Sequence, residues 1–369
     1  MQNDSLRSLS NLNRKLFETA LSTSDVLLKP SMGVLDSRSK ADVNLHSPII
    51  YNSPMDMVSN QSLFDMMHSH GQASVSCRFA SDASRLNEVK LNYNKSSYWF
   101  TVGASEKDYI LAEKASRLFN TRLNICVDVA HGCTTHMLKI YRKYKESIWC
   151  RNLMSGTVAT SETAKLVHLA GCSHIRVGIG PGSACSTRVV TGCGVPNLSA
   201  VFDIWDYFYG NHWEAEPPVI IADGGIKTTG DIAKYLSAGA DAVMIGNLLS
   251  RTYESGGWKT NPFYSLIYKL LKIKKFRRLS FSKRYRGQAS SIFQLERRGS
   301  VSGSPEGVQG AKMHPSYTCE EFLQNVFSSL SSTISYLGLK SLLELSPETV
   351  QFIQVTPNSL NETNPNPNF

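Results

Sequence analysis

A chain of 369 residues with 41% hydrophobic side chains can bury a large core, and 19% charged residues excludes a polypeptide that is disordered throughout. The net charge is +9. Much of the excess lies in residues 269–286, KLLKIKKFRRLSFSKRYR, which reads as a solvated surface segment or as a basic flap that attracts phosphates. No nucleic-acid recognition motif accompanies it. The eight cysteines form no Cys-x-x-Cys pair and no cluster with zinc spacing. No apolar run approaches the roughly 20 residues of a membrane span. The opening segment MQNDSLRSLSNLNRKLF has no leader-like apolar core. A reducing, cytoplasmic setting is expected, with neither a membrane nor a nucleic acid as partner.

From residue 47 short apolar runs alternate with amphipathic stretches of helical length. The runs are SPIIYNSP (47–54), ASVSC (73–77), YWFTVG (98–103), NICVDVAHG (124–132), IWCRNLMSG (148–156), HIRVGIGPG (174–182), PVIIADGG (218–225) and AVMIGN (242–247). Continuous apolar runs suit parallel strands buried on both faces, and the alternation predicts βαβ units. Eight of them predict an α/β fold, a (β/α)8 TIM barrel; a doubly wound sheet is the alternative, but no Gly-x-Gly-x-x-Gly follows the first strand. TTGDIAKYLSAGA (228–240) is a representative intervening helix, with Thr or Gly at its start and Gly239 near its end. Residues 257–313, rich in Gly, Ser, Lys and Arg, are expected to be an irregular, flexible flap. A helical pattern returns over 317–345, and residues 346–369 are expected to be a disordered tail. The barrel with its flap would occupy residues 1–345.

The strand ends carry the chemistry. VGIGPGSACSTRVVTGCG (177–194) packs glycines around Pro181 after a predicted strand, which exposes backbone N–H groups to an anion. Cys185 lies on this loop, and Arg176 and Arg188 nearby in sequence would favour a thiolate. From the residues alone it is either a nucleophile or an ordinary loop cysteine. The turns ADGG (222–225) and IGN (245–247) end the seventh and eighth runs, where barrels often hold phosphate, and Asp223 could accept from ribose hydroxyls.

The run GIGPGSACSTRVVTGCGVPNLSAV (178–201) resembles the catalytic loop of the IMP dehydrogenase / GMP reductase family. STSDVLLKPSMGVLDSRS (22–39), SPMDMV (53–58), IIADGGIKTTGDIAKYLSAGADAVMIGNLLS (220–250), YRGQAS (285–290) and PEGVQG (305–310) resemble its N-terminal segment, first-strand motif, monophosphate site and flap. The resemblance implies that Cys185 attacks C2 of a purine nucleoside monophosphate to form a thioimidate, with Thr187 and Glu306 handling protons. It implies nucleotide contacts from Ser53, Met55, Arg176, Ser183, Asp223, Gly225, Gly246, Asn247, Tyr285, Gly287 and Ser290. It places Arg78, Gly103, Ser105 and Asp128 at a nicotinamide dinucleotide, and a potassium ion on the backbone of Gly180, Gly182 and Cys185. It also implies a homotetramer.

In layout the chain resembles GMP reductase, which uses NADPH to convert GMP to IMP. About 20 residues separate Cys77 from Tyr98, too few for the regulatory modules that dehydrogenases carry there. No tyrosine lies between Arg286 and Gly307, although the dehydrogenase flap uses an Arg-Tyr pair to activate water. DVAHG (128–132) and TISYLG (333–338) are also reductase-like. SPMDMV, PEGVQG and Arg176 are dehydrogenase-like, and Thr157, Asn247 and Gln288 replace the residues usual in both groups. The alternatives are therefore an IMP dehydrogenase without regulatory modules, using NAD, and a related reaction on an altered purine nucleotide.

Overall fold

All eight apolar runs are strands. The computed structural model describes residues 19–44, 47–210, 213–301, 303–356 and 359, with only the backbone at position 298. The opening segment expected to lack a leader lies outside the described residues. After β1 (Val26–Leu28) come β2 (Ile50–Asn52), β3 (Ser74–Val75), β4 (Tyr98–Val102), β5 (Leu123–Val127), β6 (Cys150–Met154), β7 (His174–Val177), β8 (Val219–Asp223) and β9 (Ala242–Ile245). β2 to β9 form one parallel eight-stranded sheet in the order β2-β9-β8-β7-β6-β5-β4-β3. A parallel bridge between Tyr51 and Ala73 closes it into a (β/α)8 barrel.

Alternation along the strands builds two cores. Tyr51, Val75, Trp99, Cys126, Met154, Ile221 and Met244 fill the barrel interior. Their neighbours Ile50, Phe100, Ile125, Leu153, Ile175, Ile220 and Val243 face the helices. The helix Thr229–Ser237 starts where its cap residues dictate: Thr228 and Asp231 satisfy each other's backbone N–H groups. The same device, Thr318 with Glu321, starts the helix Cys319–Tyr336. That helix buries Phe322, Leu323, Val326, Leu330 and Ile334 on one stripe against the helices Thr229–Ser237 and Gln61–Ser69. Each such side chain contributes roughly 1.5–3 kcal/mol relative to exposure.

Two expectations are corrected. Residues 257–313 are not irregular: they carry the antiparallel sheet β10 (Lys259–Thr260), β11 (Phe281–Arg286) and β12 (Gln309–Met313), with helices at Pro262–Leu271, Lys274–Leu279 and Ser291–Arg298. Buried cations anchor this sheet. Lys283 Nζ donates to the carbonyls of Met57 and Gly256 at 2.7 Å each and to Ser255 Oγ at 2.8 Å. Burial pulls its pKa down to about 7, with Asp56 opposing. Arg286 bridges Asp56 at 2.9 Å and Glu296 at 2.6 Å. The region expected to be a disordered tail starts with structure as well. β13 (Phe352–Gln354) pairs antiparallel with β1, Val26 opposite Gln354. Residues 360–369 lie outside the described residues. Among the described residues, no helix is long and apolar enough to cross a membrane.

Candidate active site

The C-terminal ends of the strands open into a cavity of about 680 Å³. At its wall an ion-pair chain crosses the barrel. Ile175 and Val177 of β7 face the helices, so Arg176 between them points inward. Its Nε and Nη2 donate to Asp223 Oδ2 at 3.0 and 2.8 Å, and Nη1 donates to Asp128 Oδ1 at 3.2 Å. Arg78 completes the chain, 3.5 Å from Asp128 Oδ2. Burial raises the Asp223 pKa, and the Arg176 charge opposes that rise. Asp223 Oδ1 has no hydrogen-bond partner among the described residues, which leaves one acceptor for a ligand hydroxyl.

Cys185 is exposed and lines the cavity. Burial pushes the thiols of Cys77, Cys126, Cys150 and Cys319 up to about 12, which leaves them inert. Cys185 Sγ lies 3.1 Å from Thr187 Oγ1, and that hydroxyl donates to Glu306 Oε2 at 2.7 Å. Neither Arg176 nor Arg188, expected from sequence to favour a thiolate, hydrogen-bonds the Cys185 thiol among the described residues. Arg176 is held by the two aspartates, and Arg188 donates to the carbonyls of Ile179 and Val195, bracing the cysteine loop.

Long-range backbone bonds assemble the relay. Ser186 N–H donates to the Glu306 carbonyl at 2.9 Å, and Val308 N–H donates to the Ala184 carbonyl at 3.0 Å. Gly287 N–H in turn donates to the Val308 carbonyl at 3.0 Å. A Cβ on Gly287 would stand 2.5 Å from the Ala184 oxygen, so the close approach requires glycine.

On the other side, Ser53, Met55 and Tyr285 converge on Gly246, and Ser183 lines the same cavity. The Tyr285 hydroxyl lies 3.4 Å from Met55 Sδ, and burial holds the phenol well above its usual range, hence neutral. A Cβ on Gly246 would fall 2.7 Å from that hydroxyl and 3.1 Å from Ser53 Oγ. Gly225 and Asn247 line the same end. These hydroxyls beside two glycine turns suit an anionic group with an attached sugar.

Most residues singled out from sequence line this one cavity, Gly180 and Gly182 included; the Gly182 carbonyl already accepts from Cys185 N–H at 2.9 Å. Three do not line it. Ser290 is buried and caps the helix Ser291–Arg298, accepting from Phe293 N–H. Ser105 caps the helix Glu106–Phe119. Gly103 packs behind the wall, where a Cβ would meet Asp108 and Arg78. Sequence reasoning missed the aromatic wall. Phe79 and Phe293 meet edge to face with centroids 4.8 Å apart, and the Arg78 guanidinium covers Phe79 at 4.1 Å. Both rings line the same cavity and offer it apolar surface. Thr157, set apart by its sequence, donates to the Ala130 carbonyl at 2.8 Å, and Gln288 donates to the Pro54 carbonyl at 2.6 Å.

Comparison with known proteins identifies the family and several relatives of the chain. Residues 18–366 match the family described as IMP dehydrogenase / GMP reductase domain. The chain is 34% identical over 271 residues to the inosine-5′-monophosphate dehydrogenase of Borreliella burgdorferi, a match covering 73% of this chain and 64% of that protein. It is 37% identical over 242 residues to the inosine-5′-monophosphate dehydrogenase of Bacillus subtilis, covering 65% and 46%. For that of Streptococcus pyogenes the identity is 34% over 261 residues, covering 69% and 49%. The chain thus matches about half to two thirds of the length of these relatives.

Proposed function

Because this chain belongs to the IMP dehydrogenase / GMP reductase family, we propose that it is an oxidoreductase acting at C2 of a purine nucleoside 5′-monophosphate, converting IMP to XMP. The carrying observation is the Cys185–Thr187–Glu306 chain at the cavity mouth. Ser183, Gly225, Gly246, Asn247 and Tyr285 hold the phosphate, and Asp223 Oδ1 accepts from the ribose. Cys185 Sγ bonds to C2, and hydride departs from that carbon to leave a thioimidate on the cysteine. The nicotinamide dinucleotide, NAD in this direction, supplies the hydride acceptor; Arg78, Phe79, Asp128 and Phe293 form the wall that would hold it. Water then adds to C2. Its proton passes to Thr187 Oγ1 as the threonine proton moves to Glu306 Oε2, and collapse expels the Cys185 thiolate. The balance is IMP, NAD⁺ and water to XMP, NADH and a proton. A cytoplasmic homotetramer, with a monovalent cation on the carbonyls of Gly180, Gly182 and Cys185, belongs to the same reading.

A second reading, reduction of GMP to IMP with NADPH, is favoured by one observation. No tyrosine lies between Arg286 and Gly307 to pair with an arginine in activating water, and the Thr187–Glu306 relay can equally protonate departing ammonia. Following the nicotinamide absorbance with IMP and NAD beside GMP and NADPH separates the two. Sustained XMP formation is expected; turnover of GMP alone would reverse the assignment. Cys185→Ala abolishes turnover and the mass-detected nucleotide adduct while nucleotide binding persists, and activity above a few percent in that variant refutes covalent catalysis.

A further inference from the structure

The helical hairpin between β10 and β11 stands off the barrel. Its helices, Pro262–Leu271 and Lys274–Leu279, contain no buried residue. Tyr264 stacks on Phe276 with centroids 6.3 Å apart, folding the helices on each other. Arg277 covers the Tyr253 ring at 4.4 Å and ties the hairpin to the body. Phe263, Leu266 and Leu270 recur at the three- and four-residue spacing that places them on one side of the first helix. They are 66%, 58% and 73% exposed, and Ile273 beyond them is 47% exposed. A ten-residue helix gains little from propensity alone, so an apolar stripe of this kind ordinarily has a cover.

The charge pattern identifies the cover. Residues 255–295 include ten lysines and arginines and no aspartate or glutamate. Lys283 and Arg286 of that set are engaged in buried contacts. Lys269, Lys272, Lys274, Lys275 and Arg278 are exposed and form no ion pair among the described residues. We propose that this hairpin is a peripheral anchor for an anionic phospholipid surface. The Phe263–Leu266–Leu270 stripe enters the headgroup and acyl boundary, and the flanking cations meet lipid phosphates. A second copy of the chain would set two like-charged faces against each other. A nucleic acid would satisfy the cations and leave the apolar stripe in water. A bilayer interface takes both and needs no shape-matched groove, which suits a convex projection.

Full-length protein is sedimented with phosphatidylcholine vesicles with and without phosphatidylglycerol, at low and high salt. Binding to the anionic vesicles alone, weakened by salt, is expected. Leu266→Ser with Leu270→Ser, and separately Lys274→Glu with Lys275→Glu, lower partitioning at least about tenfold. Lys90→Glu with Lys114→Glu, the same charge change on exposed helices elsewhere, changes it less than about threefold. Far-ultraviolet circular dichroism and Tm check folding; should the serine pair fold poorly, the glutamate pair and the salt series decide. Equal loss in the control pair, equal binding to neutral vesicles, or no vesicle binding overturns the proposal. So does a fall in light-scattering mass for the serine pair, which makes the stripe a subunit interface. Binding to polyglutamate or RNA with none to vesicles assigns the cations to another partner and also overturns it.

Discussion

Replacing Arg176 by methionine isolates the charge at the centre of the site. The side chain is 5% exposed, and methionine fills much of the space of its stem, so the packing loss is small. What disappears is the cation between Asp223, at 3.0 and 2.8 Å, and Asp128, at 3.2 Å, leaving only Arg78 at 3.5 Å from Asp128. Removing one partner of a buried ion pair costs about 3–5 kcal/mol, which in a chain of this size lowers Tm by roughly 4–6 °C. The loss depends on pH in a defined direction. The Asp223 pKa is already raised by burial, and without Arg176 it rises further. A folded-state pKa above the unfolded value of about 3.9 means that stability is present below that value and lost as pH rises through the folded one. The deficit is therefore smallest near pH ~4 and complete by neutrality. Urea unfolding of both proteins across this range measures it, and adding Asp223→Asn to the variant recovers most of the loss. A deficit under about 1 kcal/mol at neutral pH, a deficit independent of pH, or no recovery in the double variant would refute the argument.

Glu306→Gln keeps a partner for the Thr187 hydroxyl but cannot take up its proton, so kcat falls by roughly 10²–10⁴-fold while the nucleotide dissociation constant stays within a few-fold; a matched loss of affinity would make the residue a binding group. Away from the site, half-buried Glu88 accepts from the Tyr98 hydroxyl at 2.8 Å, and desolvation pushes its pKa up to about 7. Its folded pKa exceeds the unfolded one, so the stability it contributes below pH ~4.5 is lost as pH rises through about 7. Glu88→Gln removes this dependence. Relative to the parent chain it gains about 3 kcal/mol between pH ~4.5 and ~8 in denaturant titrations, and parallel stability curves would show that Glu88 ionises freely.

The sequence by itself determined the barrel and most of the site. A parallel strand between helices is apolar on both faces, so each of the eight strands is visible as an uninterrupted run, such as IIAD before Gly224. The helices announce themselves locally too, through Thr228 with Asp231 and Thr318 with Glu321. Cys185 and Thr187 were legible because the cysteine loop is one contiguous segment. Only the tertiary structure decided the rest, because its stabilising contacts join residues far apart in the chain. β11 and β12 are short and polar, and they gain their order from Lys283 and Arg286 buried against residues 56–57 and 255–256. β13 is specified by its partner β1 at the opposite end of the chain. Phe79 and Phe293 form a wall only because the 257–313 segment folds back over the barrel mouth. Ser105 and Ser290 resemble binding residues in a linear motif, yet each spends its hydroxyl on a helix N-terminus. A residue type limits which bonds it can make, and the chain's path in space decides which of them it makes.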